Sequence, residues 1–203
     1  MGILKVASAC MNAQMDKTAN LRKMLDWMEL AAQSGAKLLV FPEQILSGYL
    51  FNCRTLYNEQ FAYHYTNAET VPEGPSVRTI SEKAAELGLY VVFGMTEQDG
   101  AEPDILYNTA VLIGPEGYIG KYRKVHLPMD ELHMYTPGER FPVFQTAIGR
   151  IGLMICYDKS FPEAARSMVL DGAQLLVCPT AWGIRQSPTL PQPITPVLIF
   201  LIA

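Results

Sequence analysis

Apolar and polar positions follow two different periods along the chain, and each period predicts a different kind of element. Leu21, Leu25 and Met28 recur at helical spacing before Gly35, whereas shorter apolar runs are rich in the branched and aromatic side chains that favour strands. The sequence therefore predicts helices at 18–35, 76–88 and 161–173, and strands at 3–11, 37–43, 89–97 and 174–182.

Two further segments, 106–124 and 141–158, each read as a pair of apolar strands joined by a turn. The first turn is expected at Gly114–Gly117, where proline and glycine supply the backbone angles, and the second around Gly149–Arg150. The polar, aromatic stretch 61–67 is expected to be a loop. Together these elements predict an α/β fold in which a mixed β-sheet is layered with helices and its central strands are covered on both faces.

Composition and charge limit the classes of molecule that the protein is expected to bind. The 203 residues are 49% hydrophobic and carry a net charge of -4, which suits one globular domain with a sizeable core. The chain lacks the clustered Lys and Arg that bind phosphates, so we expect a small-molecule partner and no nucleic acid. The closing apolar run at 197–203 is far shorter than the roughly 20 residues of a membrane span, so no membrane partner is expected.

The cysteines indicate a compartment. Cys10, Cys53, Cys156 and Cys178 are spread along the chain with no CxxC pair, which predicts reduced thiols rather than a disulfide framework. The first residues place Lys5 inside an apolar stretch and show no secretory leader. We therefore expect a cytoplasmic protein.

Three reactive or charged side chains end separate predicted strands. Cys156 follows an apolar run and precedes a helix, and Glu43 and Lys124 end their strands in the same way. Each alone has an ordinary explanation, since a lone cysteine is usually a small buried hydrophobe and a charge at a strand end is usually solvated. Together they could meet in the cleft that α/β sheets form outside their strand ends.

Such a meeting would have a definite chemistry. A carboxylate can take the proton of a thiol, and an ammonium group can stabilise the negative charge that develops on a carbonyl oxygen under attack. Cys156, Glu43 and Lys124 would then carry out thiol-dependent acyl transfer. A Cys–His pair is the alternative, but none of the three histidines lies in a local cysteine-protease signature.

The motifs around these residues resemble those of the nitrilase superfamily of carbon-nitrogen hydrolases. They are FPEQILSGY at Glu43, YRKVHLP at Lys124 and GLMICYDKSFPEAAR at Cys156, in that family's order and approximate spacing. The resemblance implies that Glu43 is the general base, Cys156 the nucleophile, and Lys124 the group that stabilises the tetrahedral intermediate. It also implies that the layered sheet is part of a four-layer αββα sandwich.

The resemblance extends to further residues. Glu131 matches a second glutamate that orients substrate and lysine, and the backbone N–H of Tyr157 would share the oxyanion with Lys124. Tyr49 and Trp182 could line the acyl pocket, although packing in the core or in a loop explains them equally well. No metal ion and no organic cofactor is expected.

The residues after the nucleophile indicate a branch of the family. True nitrilases usually continue with Trp-Glu, whereas Tyr157-Asp158 follows Cys156 here and resembles the amidase and carbamoylase branches. The resemblance therefore implies hydrolysis of a small linear amide or an N-carbamoyl amine through a thioester on Cys156.

The resemblance ends near Trp182. We expect an incomplete carbon-nitrogen hydrolase domain over 1–182 and a divergent, proline-rich, apolar tail without a partner over 183–203. Because relatives continue with further helices and strands, the C-terminal portion of the sandwich is expected to be missing, and the homo-oligomer typical of the family is doubtful. Two alternatives stay open: a catalytically impaired, truncated homologue that acts only by pairing with full-length subunits, and an unrelated α/β binding module.

Overall fold

The computed structural model describes residues 3–50, 53–181 and 197–201, and it describes only the backbone at 53–57 and 197–201. The helices of this part are α1 (Lys17–Gln33), α2 (Cys53–Asn67), α3 (Pro75–Leu87) and α4 (Pro162–Leu170), with short 3-10 helices at Met129–His133 and Cys156–Ser160. Its strands are β1 (Val6–Ser8), β2 (Leu38–Val40), β3 (Tyr90–Gln98), β4 (Leu106–Gly114), β5 (Gly117–Arg123), β6 (Val143–Thr146), β7 (Gly149–Leu153), β8 (Leu175–Pro179) and β9 (Val197–Leu201).

These strands form two sheets that face each other. The first has the order β1-β2-β3-β4-β5, parallel across β1, β2 and β3 and antiparallel across β4 and β5. The second has the order β6-β7-β8-β9, with β7 and β8 parallel and both outer pairs antiparallel. Val92 and Leu112 of the first sheet share one apolar core with Leu153 and Val177 of the second. Facing sheets bury a common core in this way.

Helices cover the outer faces of both sheets. Met28 of α1 and Ile80 of α3 pack with Phe93 of β3 in a separate core. On the second sheet, a Cβ at Gly152 would lie 2.7 Å from the Met168 sulfur, so α4 packs closely on β7. The order of layers is helix, sheet, sheet, helix, and it confirms the predicted α/β class.

Local sequence signals account for several element ends. The Asp16 side chain accepts a hydrogen bond from the Ala19 N–H and begins α1. Gly88 ends α3 at the predicted position, with the left-handed φ of 60° that glycine adopts without steric cost. The predicted turn between β4 and β5 is also confirmed, because Gly114 pairs with Gly117.

The second predicted hairpin is confirmed as well, because β6 and β7 pair antiparallel; its turn lies at 147–148 and ends on Gly149, since Thr146 pairs with Gly149. Two local expectations are wrong. The stretch 61–67 is the last part of helix α2 rather than a loop. Its buried His64 contacts Thr96 Oγ1 through Nδ1 at 2.7 Å, and such a polar contact gives the sequence no apolar period that would indicate a helix. The closing apolar run has a partner, since β9 pairs antiparallel with β8.

The expected domain boundary after residue 182 stays a prediction, because 182–196 lie outside the described residues. Within the described part of the chain, no helix has both the length and the apolar character needed to cross a membrane.

Candidate active site

Glu43 lies just past the end of β2 and is 1% exposed. Its Oε1 accepts hydrogen bonds from Lys124 Nζ at 2.6 Å and from Asn108 Nδ2 at 2.8 Å, and its Oε2 accepts one from the Ala181 N–H at 2.9 Å. Gly94 of β3 allows this placement, because a Cβ there would lie 2.8 Å from the Glu43 Cα. The carboxylate is therefore held at a point where the backbone of a neighbouring strand comes unusually close.

Lys124 follows β5 and is fully buried between two carboxylates. Its Nζ donates to Glu43 Oε1 and, at 2.9 Å, to Glu131 Oε1. Burial alone would lower the pKa of Lys124, but the charges of Glu43 and Glu131 outweigh it and hold the pKa above its usual value. The side chain is thus an ammonium ion inside a dry site.

Glu131 lies on the 3-10 helix that follows Lys124, and its side chain points inward. Its Oε1 also accepts the Tyr49 hydroxyl at 2.9 Å, and its Oε2 accepts Asn108 Nδ2 at 3.0 Å. Burial, and then the charge of Glu43, raise the pKa of Glu131 to about 7 against the opposing effect of Lys124. Its charge consequently changes near neutral pH.

Cys156 begins the second 3-10 helix, three residues past the end of β7, with a left-handed φ of 44°. This conformation is costly for a residue other than glycine and persists only where the surroundings hold it. Burial first, and then the charge of Glu43, raise the pKa of the thiol above its usual value, while Lys124 opposes them. At rest the sulfur keeps its proton, so nucleophilic attack requires a base.

Sequence reasoning missed Asn108. This side chain of β4 is fully buried, and its Nδ2 donates to both Glu43 and Glu131. Its Oδ1 has no hydrogen-bond partner among the described residues. The available signal was an amide next to the buried apolar run of β4, a position where an unpaired polar group is costly.

The remaining predicted residues have different placements. Tyr49 lies at the site, and burial, followed by the charges of Glu43 and Glu131, raises its pKa, so its hydroxyl stays a donor. Tyr157 is the second residue of the 3-10 helix, with a side chain that is 41% exposed and packs edge-on against Phe161. Trp182 lies outside the described residues.

The site can supply a base, an ammonium ion and a thiol, contributed by strand ends of both sheets. Within the part of the chain that the structure describes, no three or more His, Cys, Asp or Glu side chains are grouped so that they could hold a metal ion. The base, the ammonium ion and the thiol can supply proton transfer, stabilisation of negative charge and nucleophilic attack by sulfur.

Comparison with known proteins decides the family. Residues 5–196 match the model of the carbon-nitrogen hydrolase family. The chain belongs to this family. The chain is 39% identical over 179 residues to a protein named nitrilase from Pyrococcus abyssi, covering 87% of this chain and 64% of that protein. It is 34% identical over 182 residues to omega-amidase NIT2 from Homo sapiens, covering 85% of this chain and 61% of that protein.

A solved structure agrees. The chain superposes on the crystal structure of Saccharomyces cerevisiae Nit3, a member of branch 10 of the nitrilase superfamily, with a TM-score of 0.78 and 30% identity. The match covers 92% of this chain and 67% of that one. The resemblance to the nitrilase superfamily is confirmed, and the chain spans less than two thirds of the length of the two curated relatives above.

Proposed function

We propose that this carbon-nitrogen hydrolase cleaves the C–N bond of a small linear amide or an N-carbamoyl amine through a thioester on Cys156. The observation that carries the proposal is the shared placement of the Cys156 thiol, the Glu43 carboxylate and the Lys124 ammonium. An omega-amidase among the relatives and the Tyr157-Asp158 pair after the thiol favour an amide over a nitrile.

The first step forms a tetrahedral intermediate. The Cys156 thiol transfers its proton to Glu43 while the sulfur bonds to the carbonyl carbon, and the π electrons of the C=O bond move onto oxygen. Lys124 and the N–H of Tyr157 stabilise that oxygen. Because the pKa of the thiol is raised at rest, proton transfer to Glu43 accompanies the attack.

The second and third steps release the products. The C–N bond breaks, and Glu43 returns its proton to the leaving ammonia or amine, which leaves a thioester on Cys156. Glu43 then takes a proton from a water molecule whose oxygen attacks the thioester. The C–S bond breaks to give an acid, and Glu43 returns the proton to the Cys156 sulfur, which restores the thiol and the carboxylate. With an N-carbamoyl amine the acid is a carbamic acid, which loses carbon dioxide.

Other residues support these steps. Glu131 orients Lys124, to which it bonds at 2.9 Å, and Tyr49 lines the acyl pocket. The hydrogen bond that the Tyr49 hydroxyl donates to Glu131 supports the placement of Tyr49 in this pocket. The hydrolase domain extends over 1–182. A cytoplasmic location is supported by the free thiols of Cys10, Cys156 and Cys178.

A panel of primary amides and N-carbamoyl amines tests the proposal, with released ammonia as the readout. The parent chain should hydrolyse at least one member, Cys156→Ala should hydrolyse none, and Cys10→Ala, which removes an exposed thiol, should match the parent. Mass spectrometry of the parent, quenched during turnover, should detect acyl-Cys156, and Glu43→Gln, which lacks the base that takes the thiol proton, should not form it. Ammonia release that survives in Cys156→Ala would refute the mechanism, and a folded parent inactive on the whole panel would refute the function.

A further inference from the structure

Asp158 lies two residues after Cys156 and is fully buried. Its Oδ1 accepts the backbone N–H of His126 at 3.0 Å and the ring Nδ1–H of His126 at 2.9 Å. Its Oδ2 accepts the Tyr122 hydroxyl at 2.6 Å and the Ile155 N–H at 2.9 Å. A carboxylate has about four acceptor positions, so these donors occupy all of them.

The four donors come from both sides of the proposed reaction centre. Ile155 immediately precedes Cys156, whereas Tyr122 and His126 stand two residues before and two residues after Lys124. One carboxylate therefore joins the turn that carries the thiol, in the second sheet, to the strand end that carries the ammonium, in the first.

The surroundings fix the donors as well. The His126 ring stacks on Phe161 with the ring centroids 3.7 Å apart and the planes 6° apart, and it stacks on Phe141 at 5.9 Å. Tyr122 accepts the Val125 N–H through its hydroxyl at 3.1 Å, which orients the phenol toward Asp158. Neither the imidazole nor the phenol can turn away from the carboxylate without losing these contacts.

We propose that Asp158 is a positioning residue that sets the separation between the Cys156 sulfur and the Lys124 ammonium. By holding Ile155 and its own backbone together, it also keeps Cys156 in its left-handed conformation. The contribution of Asp158 to catalysis rests on the function proposed above. Its effect on the position of the Cys156 thiol is independent of that function.

An amide cannot replace this carboxylate. In Asp158→Asn, the NH2 group must face either Ile155 and Tyr122 or His126, and each of these alternatives includes a backbone N–H that cannot accept a hydrogen bond. At least one donor thus loses its acceptor and meets another donor.

Glu69 provides the matched control. It is another buried carboxylate with several donors, which are the N–H and hydroxyl of Ser76 and the Lys17 ammonium, and none of them belongs to the proposed site. Glu69→Gln therefore makes the same chemical change in a carboxylate that only stabilises the fold.

The experiment measures kcat, KM and the iodoacetamide labelling rates of Cys156 and Cys178 in the parent, Asp158→Asn and Glu69→Gln. A displacement of about 1 Å costs about 100-fold, so kcat of Asp158→Asn should fall by about that factor while KM changes by less than about threefold. Cys156 should be labelled more slowly, because Glu43 no longer meets its thiol, while the buried Cys178 stays as protected as in the parent. Glu69→Gln should leave kcat and both labelling rates unchanged.

Unchanged kcat and unchanged labelling of Cys156 in Asp158→Asn would overturn the inference. Faster labelling of both thiols would mean that Asp158→Asn has lost its native packing. In that case Tyr122→Phe tests the inference instead, because it removes one donor and keeps the carboxylate. We expect that variant to lose about tenfold in kcat with Cys178 still protected, and an unchanged kcat overturns the inference. If the parent hydrolyses nothing, the proposed function fails, and the labelling of Cys156 still decides the role of Asp158.

Discussion

Replacing Lys124 with methionine measures how far the site depends on one cation. Methionine retains most of the apolar length of the side chain but removes the ammonium that lies 2.6 Å from Glu43 Oε1 and 2.9 Å from Glu131 Oε1. All three side chains are at most 2% exposed, so water cannot take the place of the lost charge. Two buried carboxylates would then face each other with no cation between them.

The expected loss of stability is large and depends on pH. Removing one partner of a buried ion pair costs about 3–5 kcal/mol, and Lys124 serves two carboxylates, so we expect at least about 3 kcal/mol near pH 8. Lys124 lowers the pKa of Glu131, which is about 7 in its presence, so the variant raises that pKa further. Once Glu131 is protonated it carries no charge, and its repulsion with Glu43 disappears.

Proton binding determines whether the free energy of unfolding rises or falls with pH. A carboxyl group with a raised pKa in the folded state binds more protons there than in the unfolded chain, so stability falls as pH rises through that window. The variant extends the window to higher pH. Its loss of stability relative to the parent should therefore be larger near pH 8 than near pH 6.

Urea unfolding of the parent, Lys124→Met and Lys121→Met near pH 6 and near pH 8 measures the free energy of unfolding of each protein. Lys121 contacts buried Glu97 at 2.5 Å and is 27% exposed, and Glu97 keeps Arg123 as a second partner. This control should lose less than about 1 kcal/mol, as partly exposed pairs do. A loss in Lys124→Met no larger than in Lys121→Met, or equal at the two pH values, would refute the reasoning.

Two further substitutions probe the support of the carboxylates. Asn108→Leu removes a hydrogen-bond donor that lowers the pKa of Glu131. The acid limb of the kcat–pH profile should therefore move to higher pH, and kcat should fall about tenfold or more. An acid limb at the same pH as in the parent would contradict this. Gly94→Ala would place a Cβ 2.8 Å from the Glu43 Cα. It should lower kcat and cost about 1–3 kcal/mol in urea unfolding, whereas Gly100→Ala, with nothing within 4 Å of its Cβ, should change neither.

The charged and reactive strand ends were predictable for a physical reason. Glu43, Lys124 and Cys156 each end a predicted strand, and α/β sheets form a cleft outside their strand ends, so the sequence alone predicts that they meet. The structure brings their side chains together. The short, nearly continuous apolar runs likewise predicted most of the strands, because each sheet is covered on one face by the other sheet and on the other face by helices.

The rest could not be predicted, because its partners are distant in the sequence. Asn108 bonds to Glu43 across 65 residues, and nothing near it in the chain reveals that partner. Asp158 entered only as a marker of a family branch, since its donors near Lys124 lie 32 residues or more away. Helix α2 escaped detection because His64 anchors it through a polar contact, and the pairing of β9 depends on a free edge of β8 that local sequence does not encode.

The division of the site between two sheets has a consequence for how reactivity appears during folding. The bond from the Ala181 N–H to Glu43 spans 138 residues, and the one from Lys124 to Glu43 spans 81. Contacts this distant require large loops to close and are slow to form. A partly folded chain that has completed one sheet holds either a thiol without its base or a base without its thiol. Under the proposed mechanism the nascent protein is inert until the sheets dock, and hydrolysis reports that the last step of folding is complete.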